Sequence, residues 1–401
     1  MEAFWLNYGV DWLNLLVRWL HVITGIAWIG ASFYFVWLDN SIKPPKAGSD
    51  LAKRGVSGEL WAVHGGGFYN PQKYLVAPKE LPAELHWFKW EAYSTWLSGF
   101  ALLVIVYYFN AQAMMIDKSV ADLTTWQAIG ISVASLVIGW AVYDVLCRSP
   151  LGQREGWLGT VVFALLVLAA YVLSKLFSGR AAYLHVGAII GTIMVANVLM
   201  VIIPGQRKMV DAMRAGGSPD PIHGIRGKQR SVHNNYFTLP VLFIMISNHY
   251  AMTYNHPYNW LVLAGIMAAG VLIRHFFNLK HKGRIEWRYP AAGTLLLLVV
   301  AIAIAPKPAA RSQANNAVDF SRVQAVIAQR CASCHSDKPT QPGFASAPAG
   351  VMLQTPELMR QHAERIYRQT VQLKAMPIGN LTQMTDEERA LIGSWYEAGA
   401  K

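Results

Sequence analysis

Long apolar stretches separated by short polar connections dominate the chain up to residue 305. Eight are long enough to cross roughly 30 Å of hydrocarbon. They lie near 12–38, 88–109, 125–146, 157–177, 181–203, 236–254, 260–278 and 289–305. The pattern predicts an all-α fold, a polytopic membrane helix bundle of about eight transmembrane helices. The sixth and seventh stretches have the least definite ends, because Asn248, His249 and the NHPYN segment at 255–259 interrupt them. After residue 305 the pattern changes. Residues 306–318 are rich in Pro, Ala, Ser and Asn and read as a linker. Residues 319–401 are more charged, with helix patterns at DFSRVQAVIAQR and TDEERALIGSWYEAG, and Thr385 followed by Glu388 predicts a capping box. The expected organisation is a membrane domain over 1–305, a linker over 306–318 and a small tethered domain over 319–401.

Composition supports a chain that lies in a lipid bilayer. Of the 401 residues 54% are hydrophobic and 14% charged, whereas a soluble domain carries roughly 25% charge. The 15 Trp and 17 Tyr suit aromatic belts at the membrane surface. The formal charge of +12 is therefore read as topology, and no nucleic-acid partner is expected. Connections 39–87 with Lys89, 147–156, 204–235 and 279–288 hold 19 Lys or Arg between them. The opposite connections, 110–124, 178–180 and 255–259, together with the tail before residue 12, hold Lys118 and Arg180 only. Basic loops stay in the cytoplasm, so the N-terminus and the region after the eighth stretch are expected outside it. No cleavable signal peptide is expected, since the start lacks a basic n-region and the first apolar run is long enough to span.

Three cysteines are too few for a disulfide framework. Cys331 and Cys334 are followed by His335 in CASCH, the spacing of covalent c-type haem attachment, with two thioethers and His335 as iron ligand. Such attachment takes place on the outer face of a bacterial inner membrane, the side on which the charge pattern puts this segment. Met376, in the loop KAMPIGN, is the expected sixth ligand ahead of Met352, Met359 and Met384, and a His/Met pair raises the potential. The tethered segment therefore reads as a class I-like cytochrome c domain carrying one haem c. Cys147, alone near the end of an apolar run, reads as a buried thiol.

Histidines inside apolar spans are costly, and here they form two layers. His21, His185 and His249 fall toward the outer ends of their spans; His86, His233 and His275 fall toward the cytoplasmic ends, with His64 in the first basic connection. Such layers suit one or two b-type haems, the outer one on His21, His185 or His249 and the inner one on His86 and His275. Helix-packing histidines are the equally weighted alternative. Arg18, His21, Gly25 and Trp28 share a helix face, so Arg18 is a candidate partner for a haem propionate. On the basic side, His64, Tyr69, Asn70, Arg230, His233, Asn234 and Asn235 form a polar set that could bind a planar, anionic, hydrogen-bonding substrate. The triple glycine at 65–67 reads as a tight turn, since no nucleotide fingerprint surrounds it.

RWLHVITGIAWIGASFYFVWLDN at 18–40, HWFKWEAYSTWLSG at 86–99 and RSVHNNYFTLPVLFIMISNHY at 230–250, together with CASCH and MPIGNLTQMTDEER, make the chain resemble the bacterial membrane-bound urate hydroxylases with a fused C-terminal cytochrome c. The resemblance covers essentially the whole chain. It implies oxidation of urate to 5-hydroxyisourate in purine catabolism, with electrons passed through haem to a respiratory acceptor such as a terminal oxidase or a soluble cytochrome c. It also implies a multi-pass protein of the bacterial inner membrane with its cytochrome domain in the periplasm. It does not fix the catalytic or substrate-binding residues. A quinol to cytochrome c oxidoreductase and a non-enzymatic haem-handling bundle fit the same pattern.

Overall fold

The computed structural model describes residues 2–305 and 319–401, apart from 343 and 345. The expected linker, 306–318, lies outside the described residues. Each of the eight apolar stretches contains a helix: α1 (Glu2–Ser41), α2 (Trp90–Leu102, continued by a π turn, Leu103–Tyr108), α3 (Thr125–Arg148), α4 (Glu155–Ser174), α5 (Gly179–Arg214), α6 (Pro221–Ser247), α7 (Asn259–His281) and α8 (Arg288–Ala303).

Five of them, rather than eight, are long and apolar enough to cross a membrane: α1 from Tyr8, α3, α4, α5 and α7. The other three fall short for separate reasons. In α6 the first half reads PIHGIRGKQRSVHNN, so the helix begins well before its apolar part at 236. The 16 residues of α8 span about 24 Å at 1.5 Å per residue. In α2 the α-helical register gives way to the π turn after Leu102.

Helix α5 is the most enclosed of the five, with 61% of an 18-residue apolar stretch buried, whereas none of the like stretch of α1 is. Close approach around α5 depends on glycine: a Cβ on Gly187 would meet Ile244 of α6 at 2.5 Å, and one on Gly139 of α3 would meet Ile189 at 2.6 Å. Small residues at such crossings let neighbouring backbones approach. Along its length α5 changes character, with apolar turns to Ala196, a π turn over Asn197–Ile202 and a polar end over Ile203–Arg214.

The connections sort to the two ends as the charge pattern predicts. At the basic end Asp39 of α1 pairs with Lys73 and, at 3.0 Å, with Lys228, while Gln229 donates to the Gly152 carbonyl at 2.6 Å. Between α1 and α2, strands β1 (Val56–Glu59) and β4 (Gln72–Tyr74) pair antiparallel, as do β2 (Ala62–His64) and β3 (Gly67–Tyr69). Gly65 and Gly66 supply the φ values of +56° and +80° that the β2–β3 turn needs, so the triple glycine is a turn. At the opposite end Ser178 donates from its backbone to Met115, and Arg180 donates to the Tyr254 hydroxyl.

Residues 319–401 form a second helical unit: α9 (Phe320–Arg330), α10 (Pro356–Gln361), α11 (Ala363–Tyr367) and α12 (Asp386–Glu397). Val323, Ile327, Leu353, Met359, Ile366, Ile392 and Trp395 fill its core. The capping box is formed, Thr385 accepting from the Glu388 backbone and Glu388 from that of Thr385. Arg330 of α9 grips the Glu388 carboxylate at 2.9–3.1 Å and fixes the crossing with α12.

Candidate functional site

The CASCH segment continues α9 as a turn, with the His335 backbone donating to the Cys331 carbonyl at 2.9 Å. Both thiols are free of any disulfide. Burial pushes the Cys331 thiol up to about 12, so it is a poor nucleophile in the folded chain. His335 donates from Nδ1 to the Val351 carbonyl at 2.9 Å, which leaves Nε2 free to coordinate. These donors fit a c-type haem. Of the four candidate methionines, Met359 and Met384 are core residues, 1% and 3% exposed. Met352 and Met376 are half-buried. The loop of Met376 is held by Arg389, which donates to its carbonyl at 2.8 Å and to that of Thr370 at 2.5 Å.

That loop is seated on the lysine-poor end of the helical bundle. Asn255, between α6 and α7, donates to the Leu373 carbonyl at 2.8 Å. Leu373 and Ala375 pack on the cluster containing Met115 and Ile116. A Cβ on Gly379 would lie 2.7 Å from the Ala113 carbonyl oxygen. A polar cavity of about 650 Å³ remains between Arg180, Asn255 and Asn259 on the bundle and Lys374, Asn380 and Arg389 on the C-terminal unit.

The histidines named for membrane haems have separate surroundings. His185 is fully buried, with Nδ1 donating to the Ala181 carbonyl at 2.7 Å and Nε2 accepting from Ser132 at 2.6 Å. Neither nitrogen is left for iron. His21 donates from Nδ1 to the Thr95 carbonyl at 3.0 Å and packs on Gly99. His249 and His86 are exposed, and the His86 ring lies edge-on to Phe88. His275 bonds the Tyr236 hydroxyl at 2.7 Å. Arg18 is exposed and donates to Asn14 at 3.1 Å. These surroundings exclude His185 as an iron ligand, while His21 and His275 are bonded through Nδ1; no electron path is built through these side chains.

The polar set expected to bind substrate divides in four. His64 and Tyr69 are exposed on the β2–β3 hairpin, and no hydrogen bond joins them to α6 among the described residues. Asn70 is a loop brace that donates to Glu59 at 3.0 Å and to the Leu60 carbonyl at 3.1 Å. Arg230, His233 and Asn234 lie inside the bundle in a closed network. Arg230 binds Asp144 at 2.7 Å, Arg148 binds its other oxygen at 2.6 Å, and Asn197 donates to Tyr143 at 3.1 Å and to Asn234 at 2.9 Å. Tyr143 bonds His233 Nδ1 at 2.7 Å. The Arg230 charge is therefore spent on Asp144, a partner that sequence spacing does not reveal.

Asn235 faces elsewhere. Its amide donates to Asn278 at 3.0 Å, and its carbonyl oxygen accepts from Arg274 Nε at 2.5 Å. Arg274, a buried charge near the C-terminal end of the seventh apolar stretch, is not among the residues singled out from the sequence, and its position within an apolar run is the available signal. No group of three His, Cys, Asp or Glu side chains able to hold a metal ion occurs among the described residues.

One family model, described as urate oxidase N-terminal, matches residues 7–305. No curated protein and no solved structure matches the chain.

Proposed function

The chain belongs to the urate oxidase N-terminal family, and from that premise we propose that it oxidises urate to 5-hydroxyisourate at a membrane and passes the electrons to a c-type haem on residues 319–401. One observation carries the coupling of the two units. The segment that brackets Met376 contacts the family domain, through Asn255 with Leu373 and through Gly379 with Ala113. An electron acceptor held in this way is approached through its methionine side.

The overall change is urate plus water giving 5-hydroxyisourate, two protons and two electrons. Bound haem supplies a one-electron acceptor, so each urate requires two transfers. The chain's own residues would hold that acceptor: Cys331 and Cys334 as covalent anchors, His335 oriented by Val351, and Met376 on a loop braced by Arg389. In this reading the basic connections face the cytoplasm of a bacterial cell, the C-terminal unit faces the periplasm, and a terminal oxidase or soluble cytochrome c removes the electrons. The separation of Lys73, Lys228 and Gln229 from the end where residues 373–380 sit supports that orientation.

The test is anaerobic addition of urate to the oxidised, purified full-length protein with no quinol present. Haem c is expected to be reduced in proportion to urate, at two haems per urate. Reduction by quinol alone, with none by urate, would replace this reading with a quinol oxidoreductase.

A further inference from the structure

Arg274 is 5% exposed, and one of its terminal nitrogens, Nη2, has no hydrogen-bond partner. Its Nε is held by Asn235, and its guanidinium lies over the Phe33 ring at 4.1 Å. Among the described residues no carboxylate pairs with it, in contrast to Arg230 and Asp144. A buried cation without a counter-charge is costly and is ordinarily retained where something anionic is to be bound. An open-sided pocket of about 460 Å³ lies beside it, lined by Phe33 and Trp37 of α1 and the partly exposed Phe277 of α7. His281, at i+7 from Arg274 on the same helix, borders the cavity and has a buried Nδ1 that also lacks a partner.

The geometry points to a binding site for a planar organic anion of purine size in this cavity, with Arg274 Nη2 pairing with its charge, His281 as a second polar contact and the aromatic walls holding its faces. The volume lies in the range of small-molecule sites, and a few convergent polar groups on apolar walls are the usual composition of such a pocket. A pocket of this volume with mostly aromatic and aliphatic walls offers a small inorganic anion few donors beyond Arg274 and His281. The aromatic lining and the edge of a guanidinium suit a ring system that bears its charge in the ring plane. The site lies toward the basic end of the bundle, since the C-terminal turn of α7 and the last turns of α1 form it. Identifying the anion as the oxidised purine rests on the function proposed above.

Calorimetry with urate on the full-length protein, its haem first reduced so that no turnover occurs, tests the site directly. One urate per chain is expected. Arg274→Gln should weaken binding roughly tenfold to a hundredfold, with Arg274→Lys in between. Phe277→Trp, which fills the cavity and leaves Arg274 in place, should weaken it comparably and guards against an Arg274 variant that fails to fold. Unchanged affinity in folded Arg274→Gln, in a protein that urate still reduces, would overturn the site and leave the proposed function standing. Absence of any urate binding or reduction in the unaltered protein would overturn both. A b-type haem, or a tightly held phospholipid, lost on Arg274→Gln would assign the cavity to that group instead and also overturn the inference.

Discussion

The side-chain amide of Asn255 donates to the main-chain carbonyl of Leu373 at 2.8 Å, tying the connection between α6 and α7 to the segment that leads to Met376. Three residues beyond that methionine, Gly379 has φ +56° and leaves no room for a Cβ against Ala113. A hydrogen bond and a steric fit thus set the position of the same loop from its two ends.

Loosening that seat should slow electron entry without damaging the haem unit. Asn255→Ala is expected to reduce the single-turnover rate of urate-driven haem reduction about fivefold, the worth of roughly one hydrogen bond. Gly379→Val should slow it further. Haem content and reduction by ascorbate serve as controls. Unaltered rates would show that electrons enter by another face.

Met376→Ala should abolish the methionine-to-iron charge-transfer band of the oxidised protein and lower the reduction potential, because a thioether ligand raises it. Met352→Leu should leave both unchanged. The reverse result would transfer the sixth-ligand role to Met352, the other half-buried methionine of the four weighed for it.

Glu388 governs the acid stability of the C-terminal unit. Burial pushes its carboxyl up, but hydrogen bonds from Arg330 and the Thr385 backbone, with the nearby Arg charges, outweigh burial and hold it below the ordinary glutamate value. A depressed carboxylate stabilises the fold above its unfolded value, roughly pH 4.3, and that stability is lost as pH falls through the lower folded value. Glu388→Gln should cost about 1.5–3 kcal/mol at neutral pH, as expected for charge-assisted hydrogen bonds with limited exposure. It should also flatten the acid limb of a titration followed by haem-region circular dichroism. A parallel downward shift with the same acid slope would remove Glu388 from this role.

Asp144 should prove structural. Its carboxylate is 10% exposed and answers Arg230, which is 4% exposed, so Asp144→Asn leaves a buried cation unpaired at a cost of about 3–5 kcal/mol. Thermal unfolding of the purified protein in detergent should move downward sharply for this variant, and the double change with Arg230→Gln should recover part of the loss. A double variant no better than the single one would mean that the pair is not mutually compensating.

Features fixed by neighbours along the chain are legible in the amino-acid order alone: the helices under the apolar runs, the glycine turn at 65–67, the cap of Thr385 on Glu388 and the CASCH turn. Features that depend on what crosses from another helix are not. His185 has the depth of a ligand in its span and becomes a packing residue because Ser132 of α3 occupies its second nitrogen. Arg230 stands available along α6 and is consumed by Asp144, 86 positions away. Arg274 is hidden in an apolar run, although a lone cation there is the strongest single cue the seventh stretch contains. The start of α6 escapes the apolar pattern because its first half carries no such periodicity, and contacts such as Gln229 with Gly152 hold it instead.

The π turn at Asn197–Ile202 accommodates one residue more than an α-helical turn does. Deleting a single residue there would let α5 relax to plain α-helix and rotate everything from Ile203 to Arg214 by about 100° about the helix axis. Gly205 would swing away from His223, which it now lies beside. One inserted position thus lets the same rod keep its apolar side on the bundle above the turn and set Gly205 and Met209 against the start of α6 below it, with Gln206, Arg207 and Lys208 left exposed.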